Sequence, residues 1–190
     1  MDVVTSTDGT PPMQELVRRL DMKPHPEGGY YVETYRDAWQ VEEGALPEGY
    51  VGSRNGSTAI LFLLPQGDAS HLHRMRASEG WHFYLGLPLK LLVFDQDNNH
   101  VDQVQLGKDI LHGHKVQHVV PSGNPGPWFG VYHDVIHPNV DPERCYSLVG
   151  CTVAPGFDFQ DFELLQGDTK EKLLQQFPQH RAEIQRLCRA

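Results

Sequence analysis

Between residues 57 and 159 the chain repeats one pattern. A short run rich in Val, Ile, Leu, Phe, Tyr and Trp ends at a turn signal, and another short run begins. The separators are Pro65-Gln66-Gly67, Asp95-Gln96-Asp97-Asn98-Asn99, Gly107 and Pro121-Ser122-Gly123. The runs predict strands over 57–64, 70–74, 80–86, 89–95, 101–106, 117–120, 128–132 and 146–153. A further strand over 30–36 precedes them. No helical pattern intervenes, so consecutive strands must pair or stack on one another. Many short strands with evenly spaced turns argue for an antiparallel sandwich or jelly roll.

Helical periodicity appears only at the two ends. Met13, Leu16, Val17 and Leu20 recur at i, i+3, i+4 and i+7, with Thr10 as the expected cap and Pro11 and Pro12 in the first turn. Near the other end Thr169 is the expected cap of a helix carrying Leu173, Leu174 and Phe177. Pro178 then opens a second short helix with Ile184, Leu187 and Cys188 on one side. Residues 1–9 read as a disordered leader and 10–190 as one domain. Residues 37–56, with Gly44, Pro47, Gly49, Gly52, Asn55 and Gly56, read as a long loop, of the kind that serves as a lid or a subunit contact.

Composition narrows the partners. Of 190 residues 39% are hydrophobic, enough for a core, and the formal charge is -9. That balance argues against nucleic acid, whose phosphates need a basic face, and gives no support for docking on an anionic membrane. No apolar run approaches the roughly 18 residues of a membrane-spanning helix. The first residues lack the basic and apolar regions of a signal peptide. Three cysteines without Cys-x-x-Cys spacing fit a reducing compartment, so the expected location is cytoplasmic.

The chemistry concentrates between His71 and Tyr84. His71 and His73, at i and i+2, share a face of a regular strand. With Glu79 they form a candidate metal set of His71, His73 and Glu79, suited to one divalent transition metal (Fe, Mn, Ni or Zn). Strand parity leaves two arrangements open. Either Glu79 points into the barrel together with Trp81, or His82 and Tyr84 do. Without a metal, His73 is the candidate base, and Tyr84, Tyr35 or Tyr132 can return a proton on the opposite face, with His82 a further candidate. Arg74 can hold a phosphate or carboxylate on a ligand. Glu33, on the face of Tyr31 and Tyr35, together with Trp81 and Trp128, is a candidate ligand contact, and Trp128 is expected at the pocket mouth. His112-x-His114 sits between two glycines and reads as a solvated turn, and Cys151 reads as a core residue.

Several of these motifs, in this order, resemble the cupin superfamily, and within it a subfamily long carried as a domain of unknown function. The resemblance rests on His25-Pro26-Glu27-Gly28-Gly29-Tyr30-Tyr31, Glu33-Thr34-Tyr35-Arg36, Ser57-Thr58-Ala59-Ile60, His73-Arg74, Ser78-Glu79, Trp81-His82-Phe83-Tyr84-Leu85-Gly86, Val120-Pro121-Ser122-Gly123 and Leu148-Val149-Gly150-Cys151-Thr152-Val153-Ala154-Pro155-Gly156-Phe157-Asp158-Phe159. It implies an all-β, double-stranded β-helix (jelly-roll) barrel with short terminal helices, similar to that of the dTDP-sugar 3,5-epimerases, and a homodimer. It implies a small polar ligand in the barrel, in a sugar-epimerase-like or metal-dependent enzyme, or in a non-catalytic binding protein. Two departures stand out. Five residues separate His73 from Glu79 where the first cupin motif has three or four, and Gly126 occupies the place of the second motif's histidine.

Overall fold

A computed structural model describes residues 9–189. The expected leader, apart from Gly9, lies outside the described residues. Helix α1 spans Met13–Arg19. The strands are β1 (Lys23–Pro24), β2 (Tyr30–Arg36), β3 (Gln40–Val41), β4 (Arg54–Asn55), β5 (Thr58–Pro65), β6 (Ala69–Met75), β7 (Ser78–Gly86), β8 (Leu89–Asp95), β9 (His100–Leu106), β10 (Gln117–Val120), β11 (Trp128–Tyr132), β12 (Tyr146–Ala154) and β13 (Phe162–Leu164). Helices α2 (Gly167–Gln176) and α3 (Arg181–Arg186) follow.

Two sheets face one another. The larger runs β1-β2-β5-β12-β7-β10 and the smaller β13-β6-β11-β8-β9. From β5 to β8 each successive strand crosses to the other sheet, and the alternation resumes after the β8–β9 hairpin. That winding makes a jelly roll. Between the sheets Phe62, Leu64, Trp81, Leu91, Phe129 and Val149 form the central core. Each such side chain contributes roughly 1.5–3 kcal/mol by leaving water.

The helices cover the outer faces. Met13, Leu16, Val17 and Leu20 of α1 and its C-terminal end pack on Leu61, Leu63, Tyr146 and Leu148 of the larger sheet. Leu173, Leu174, Phe177, Ile184 and Leu187 seal Leu72, Leu92, Phe94 and Trp128 of the smaller sheet. Both expected caps are displaced. Pro12 is the N-cap of α1 and makes no side-chain cap bond. Thr169 lies inside α2, where its hydroxyl donates to the Gln166 carbonyl at 2.6 Å.

The strands at 89–95, 117–120 and 128–132 end where the sequence pattern places them. The two-residue ladder of β3 and β4 lies inside the expected loop and is too short to leave a periodic signal. A buried ion pair anchors that region: Arg54 donates to both carboxylate oxygens of Asp161 at 2.7 and 2.9 Å.

Bulges interrupt the two-residue alternation at three places that matter. On β6, His73 faces Phe129 but Ser70 faces Val131, so one extra residue is inserted near His71. On β2, Glu33 faces Ile60 and Tyr35 faces Ala59. On β7 the register against β12 slips between Phe83 and Leu85. Each bulge reverses the faces of all side chains beyond it.

Candidate functional site

The turn between β1 and β2 builds one wall of the site. It closes through His25 N–H to the Gly29 carbonyl and Gly28 N–H to the His25 carbonyl, both 3.0 Å. Gly28 has φ of 112°, and a Cβ there would collide with the Ala69 carbonyl. Only glycine lets this turn lie flat on β6. The contact is cemented by His71 N–H donating to the Glu27 carbonyl at 2.8 Å. As a result Glu27 projects its carboxyl into the barrel, where Ser70 Oγ donates to Oε1 at 3.0 Å.

A cavity of about 280 Å³ opens beside it. Its polar floor is His25, Glu27, His73 and Glu79, and its wall includes Tyr31, Ile60, Met75, Phe157, Phe159 and Phe162. Glu33, Arg36 and Asp158 also line it. Three phenylalanines meet edge to face, with ring centroids 5.0 Å apart for Phe157 and Phe159 and 6.1 Å for Phe159 and Phe162.

His73 and Glu27 meet on the floor within ion-pair distance. His73 Nδ1 lies 2.8 Å from the His71 carbonyl, which assigns the hydrogen to Nδ1. Nε2 is then left facing Glu27 Oε2 at 3.3 Å. His25 Nδ1 lies 3.6 Å from the same oxygen and accepts from the Glu27 N–H at 3.3 Å. Two imidazole acceptors thus meet one carboxyl oxygen, an arrangement that favours one proton shared between Glu27 and His73.

Burial sets the ionisation. It pushes the His73 imidazole down to about 4. It pushes Glu79 up to about 8, with the neighbouring Glu27 adding to the shift, against hydrogen bonds from Trp81 and Cys151. It also raises Glu27 and lowers His25. The Cys151 thiol is raised well above its ordinary value by burial and by the adjacent Glu79. Near neutral pH Glu79 therefore keeps its proton and His73 stays uncharged.

The sequence-expected residues divide sharply. His73, Glu79 and Glu33 line the cavity. Trp81 supports it from behind, donating from Nε1 to Glu79 Oε2 at 2.9 Å. Parity on β7 thus selects Glu79 and Trp81. His82 and Tyr84 lie on the outer face, where His82 Nε2 bonds Thr152 Oγ1 at 2.9 Å and Tyr84 is 55% exposed. His71 lies outside the cavity lining, because the β6 bulge turns it onto the Glu27 carbonyl, 2.7 Å from its Nδ1. The expected set of His71, His73 and Glu79 therefore does not converge, and among the described residues no group of three His, Cys, Asp or Glu is placed to hold a metal ion. Gly126, at the place of the second motif's histidine, packs on the Met75 carbonyl.

Tyr35 is carried outward by the β2 bulge and is 52% exposed. Arg74 points away from the barrel, stacks over Trp128 at 4.4 Å and pairs with Glu163 at 2.6 Å. Trp128 itself is buried under the C-terminal helices and donates to Gln96 Oε1 at 3.0 Å, away from the cavity mouth. Tyr132 is buried in the same layer.

His25, Glu27, Arg36 and Asp158 are site residues that side-chain spacing within strands does not reveal. The signal for His25 and Glu27 was the His25-Pro26-Glu27-Gly28-Gly29 turn, which looks like a mere connection until it is folded onto β6; Arg36 and Asp158 close the Glu33–Arg36 motif and the segment after β12.

The comparisons agree with this architecture. Residues 14–165 match the family described as Cupin superfamily (DUF985). An uncharacterized protein of Saccharomyces cerevisiae, YML079W, is 30% identical over 168 residues, covering 85% of this chain and 79% of that protein. The crystal structure of protein SO0799 from Shewanella oneidensis is 33% identical, with a TM-score of 0.75, and covers 95% of this chain and 99% of its own. A cupin 2 domain-containing protein from Halorhodospira halophila, 11% identical with a TM-score of 0.50 over 88% of each chain, shares the fold alone. The chain belongs to the DUF985 family of the cupin superfamily.

Proposed function

We propose that the barrel cavity binds a small molecule and moves a proton to or from it, with the Glu27–His73 pair as acceptor and Glu79 as donor. One observation carries this reading. The same cavity holds a carboxyl that stays protonated to about 8 and an imidazole that stays neutral down to about 4. Titratable groups pushed apart in this way mark acid and base roles in a shared site. The aromatic wall excludes water and strengthens each polar contact on the floor.

This assignment supports an epimerase-like or isomerase-like proton relocation on a ligand small enough for about 280 Å³. Incubation in deuterated solvent with a panel of small carbonyl compounds and monosaccharides tests it. Deuterium should enter one carbon-bound position of an active member, and Glu79→Gln and His73→Ala should each abolish that entry. Entry undiminished in both variants would remove the assignment.

A second reading is a binding protein without turnover, and the depressed basicity of His73 favours it. A co-purified ligand released unchanged after prolonged incubation supports that alternative. The expected homodimer is supported by Tyr35, Tyr84 and Val119, which lie exposed on the outer face of the larger sheet. Sedimentation velocity reads it directly.

A further inference from the structure

Four carboxyl groups line the cavity, those of Glu27, Glu33, Asp158 and Glu79. Arg36 is the one arginine or lysine among the described lining residues. Its charge is already committed. Arg36 Nε and Nη2 donate to the two carboxylate oxygens of Glu33 at 3.0 and 2.7 Å, and Nη1 donates to Asn55 Oδ1 at 2.8 Å and to the Phe157 carbonyl at 3.2 Å. Nothing else on the floor carries a fixed positive charge. His25 and His73 are desolvated imidazoles, and each already presents one ring nitrogen as an acceptor.

The opposite side of the cavity is aromatic. Tyr31, Phe157, Phe159 and Phe162 surround the approach to Glu27. His25 is enclosed by the same group, with its ring 4.6 Å from Tyr31 and 6.4 Å from Phe159. Aromatic faces carry negative potential and attract a cation placed over them. Glu27 and Glu79 meet only neutral partners at the base of this aromatic cage, Ser70 and uncharged imidazoles for Glu27 and Trp81 for Glu79, and no positive charge faces them.

From this juxtaposition we infer that the natural ligand carries a cationic nitrogen, a primary to quaternary amine on a small apolar frame. The ammonium sits against Glu27, with the protonated Glu79 beside it as a neutral hydrogen-bonding partner, and the frame lies among the rings of Phe157, Phe159 and Phe162. This rests on the proposed binding role of the cavity and adds the ligand's charge to it. It also differs from the sugar-like ligand that the sequence resemblance implies, since a sugar brings hydroxyls and no charge to meet the carboxyls. Desolvated carboxyls and aromatic faces both discriminate by sign, so an anion of equal shape is rejected.

Three probes of one shape separate the charge: phenethylamine, 2-phenylethanol and phenylacetate. Titration calorimetry on the intact protein, with chemical shifts of the Trp81 indole and the Phe159 ring locating the site, measures each. The amine should bind about tenfold or more tighter than the alcohol, and phenylacetate should bind weakest. Glu27→Gln and Phe159→Leu should each reduce the preference of amine over alcohol; Phe159 is half exposed, so its variant keeps the fold. Equal or tighter binding of the alcohol or the acid at these residues overturns the cationic ligand while leaving the cavity a binding site. Binding by none of the three at millimolar concentration also overturns it, and deuterium entry into an uncharged substrate would then show that the proton-transfer role stands independently.

Discussion

His73 Nε2 lies 3.3 Å from Glu27 Oε2, although the two residues belong to different elements and neither was paired with the other by strand spacing. The turn carrying Glu27 is pinned on β6 by the His71 N–H, and β6 presents His73 beside it. The site is therefore assembled across a packed turn.

His71 and His73 should behave differently despite their i, i+2 spacing. His73→Ala leaves the Glu27 carboxyl buried and without its imidazole partner, and should cost roughly 1–3 kcal/mol together with all ligand binding. His71→Ala removes the ring contacts with the Glu27 and Ala69 carbonyls, while the backbone N–H still holds the Glu27 oxygen. It should cost about 1 kcal/mol and keep binding within a few-fold. Urea denaturation and ligand titration on both variants check this, and equal loss of binding in the two would contradict the geometry.

Stability should pass through a maximum near pH 6.5. The folded chain keeps the Glu79 proton up to about 8, whereas an unfolded chain releases it near 4.5. The native state then binds more protons over that interval, so Glu79 lowers stability as pH rises through it. His73 and His133 act in the opposite sense. Both are held near 4 when folded, against 6.5 unfolded. The native state binds fewer protons there, and stability is lost as pH falls from 6.5 towards 4. On the acid side the histidines, with His25 and His118 shifted in the same sense, outweigh the carboxyls, and between 6.5 and 8 the raised carboxyls Glu79 and Glu27 act without them. Glu79→Gln should flatten the alkaline limb, which denaturation midpoints measured across pH will show.

Gly28→Ala should damage stability and function together. The positive φ and the approach of the Ala69 carbonyl leave no room for a Cβ, so the turn must shift off β6. A loss well above ~1 kcal/mol is expected, with ligand binding abolished as Glu27 withdraws from His73. Gly44→Ala is the control, since no atom lies within 4 Å of its added Cβ. It should change the denaturation midpoint by no more than ~0.5 kcal/mol equivalent.

The Arg54–Asp161 pair should be indispensable singly and replaceable jointly. Both side chains are buried, at 3% and 8% exposure. Arg54→Ala leaves Asp161 charged and desolvated, a loss of roughly 3–5 kcal/mol. Removing both charges in Arg54→Leu with Asp161→Leu should recover most of that loss. A double-variant cycle by chemical denaturation measures the coupling, and additive losses would show that the two do not depend on one another.

The sequence was legible wherever a local rule decides the outcome. Alternating apolar residues and turn signals placed eight strands between residues 57 and 159, because burial of one strand face needs only a period of two. The i, i+3, i+4 pattern at Met13, Leu16, Val17 and Leu20 placed α1, and its cap failed because the chain enters the helix through Pro12 instead of Thr10. The motif order identified the family. Glu79 and Trp81 followed as a pair, since they lie two apart on a strand that is regular at that point.

What tertiary structure alone decided is which side chains meet. A bulge leaves no local mark in the sequence, yet one extra residue on β6 turned His71 out of the barrel, and another on β2 did the same to Tyr35. Trp128 went to the layer beneath the C-terminal helices because those helices, distant in sequence, supplied the apolar face to bury it, and Arg74 stacks over it while pairing with Glu163 of β13. Glu27 entered the site because backbone hydrogen bonds hold its turn against β6. Local periodicity fixes the face of a strand up to its first bulge. Beyond that point the register of the partner strands and the burial available on each side determine where the side chain goes.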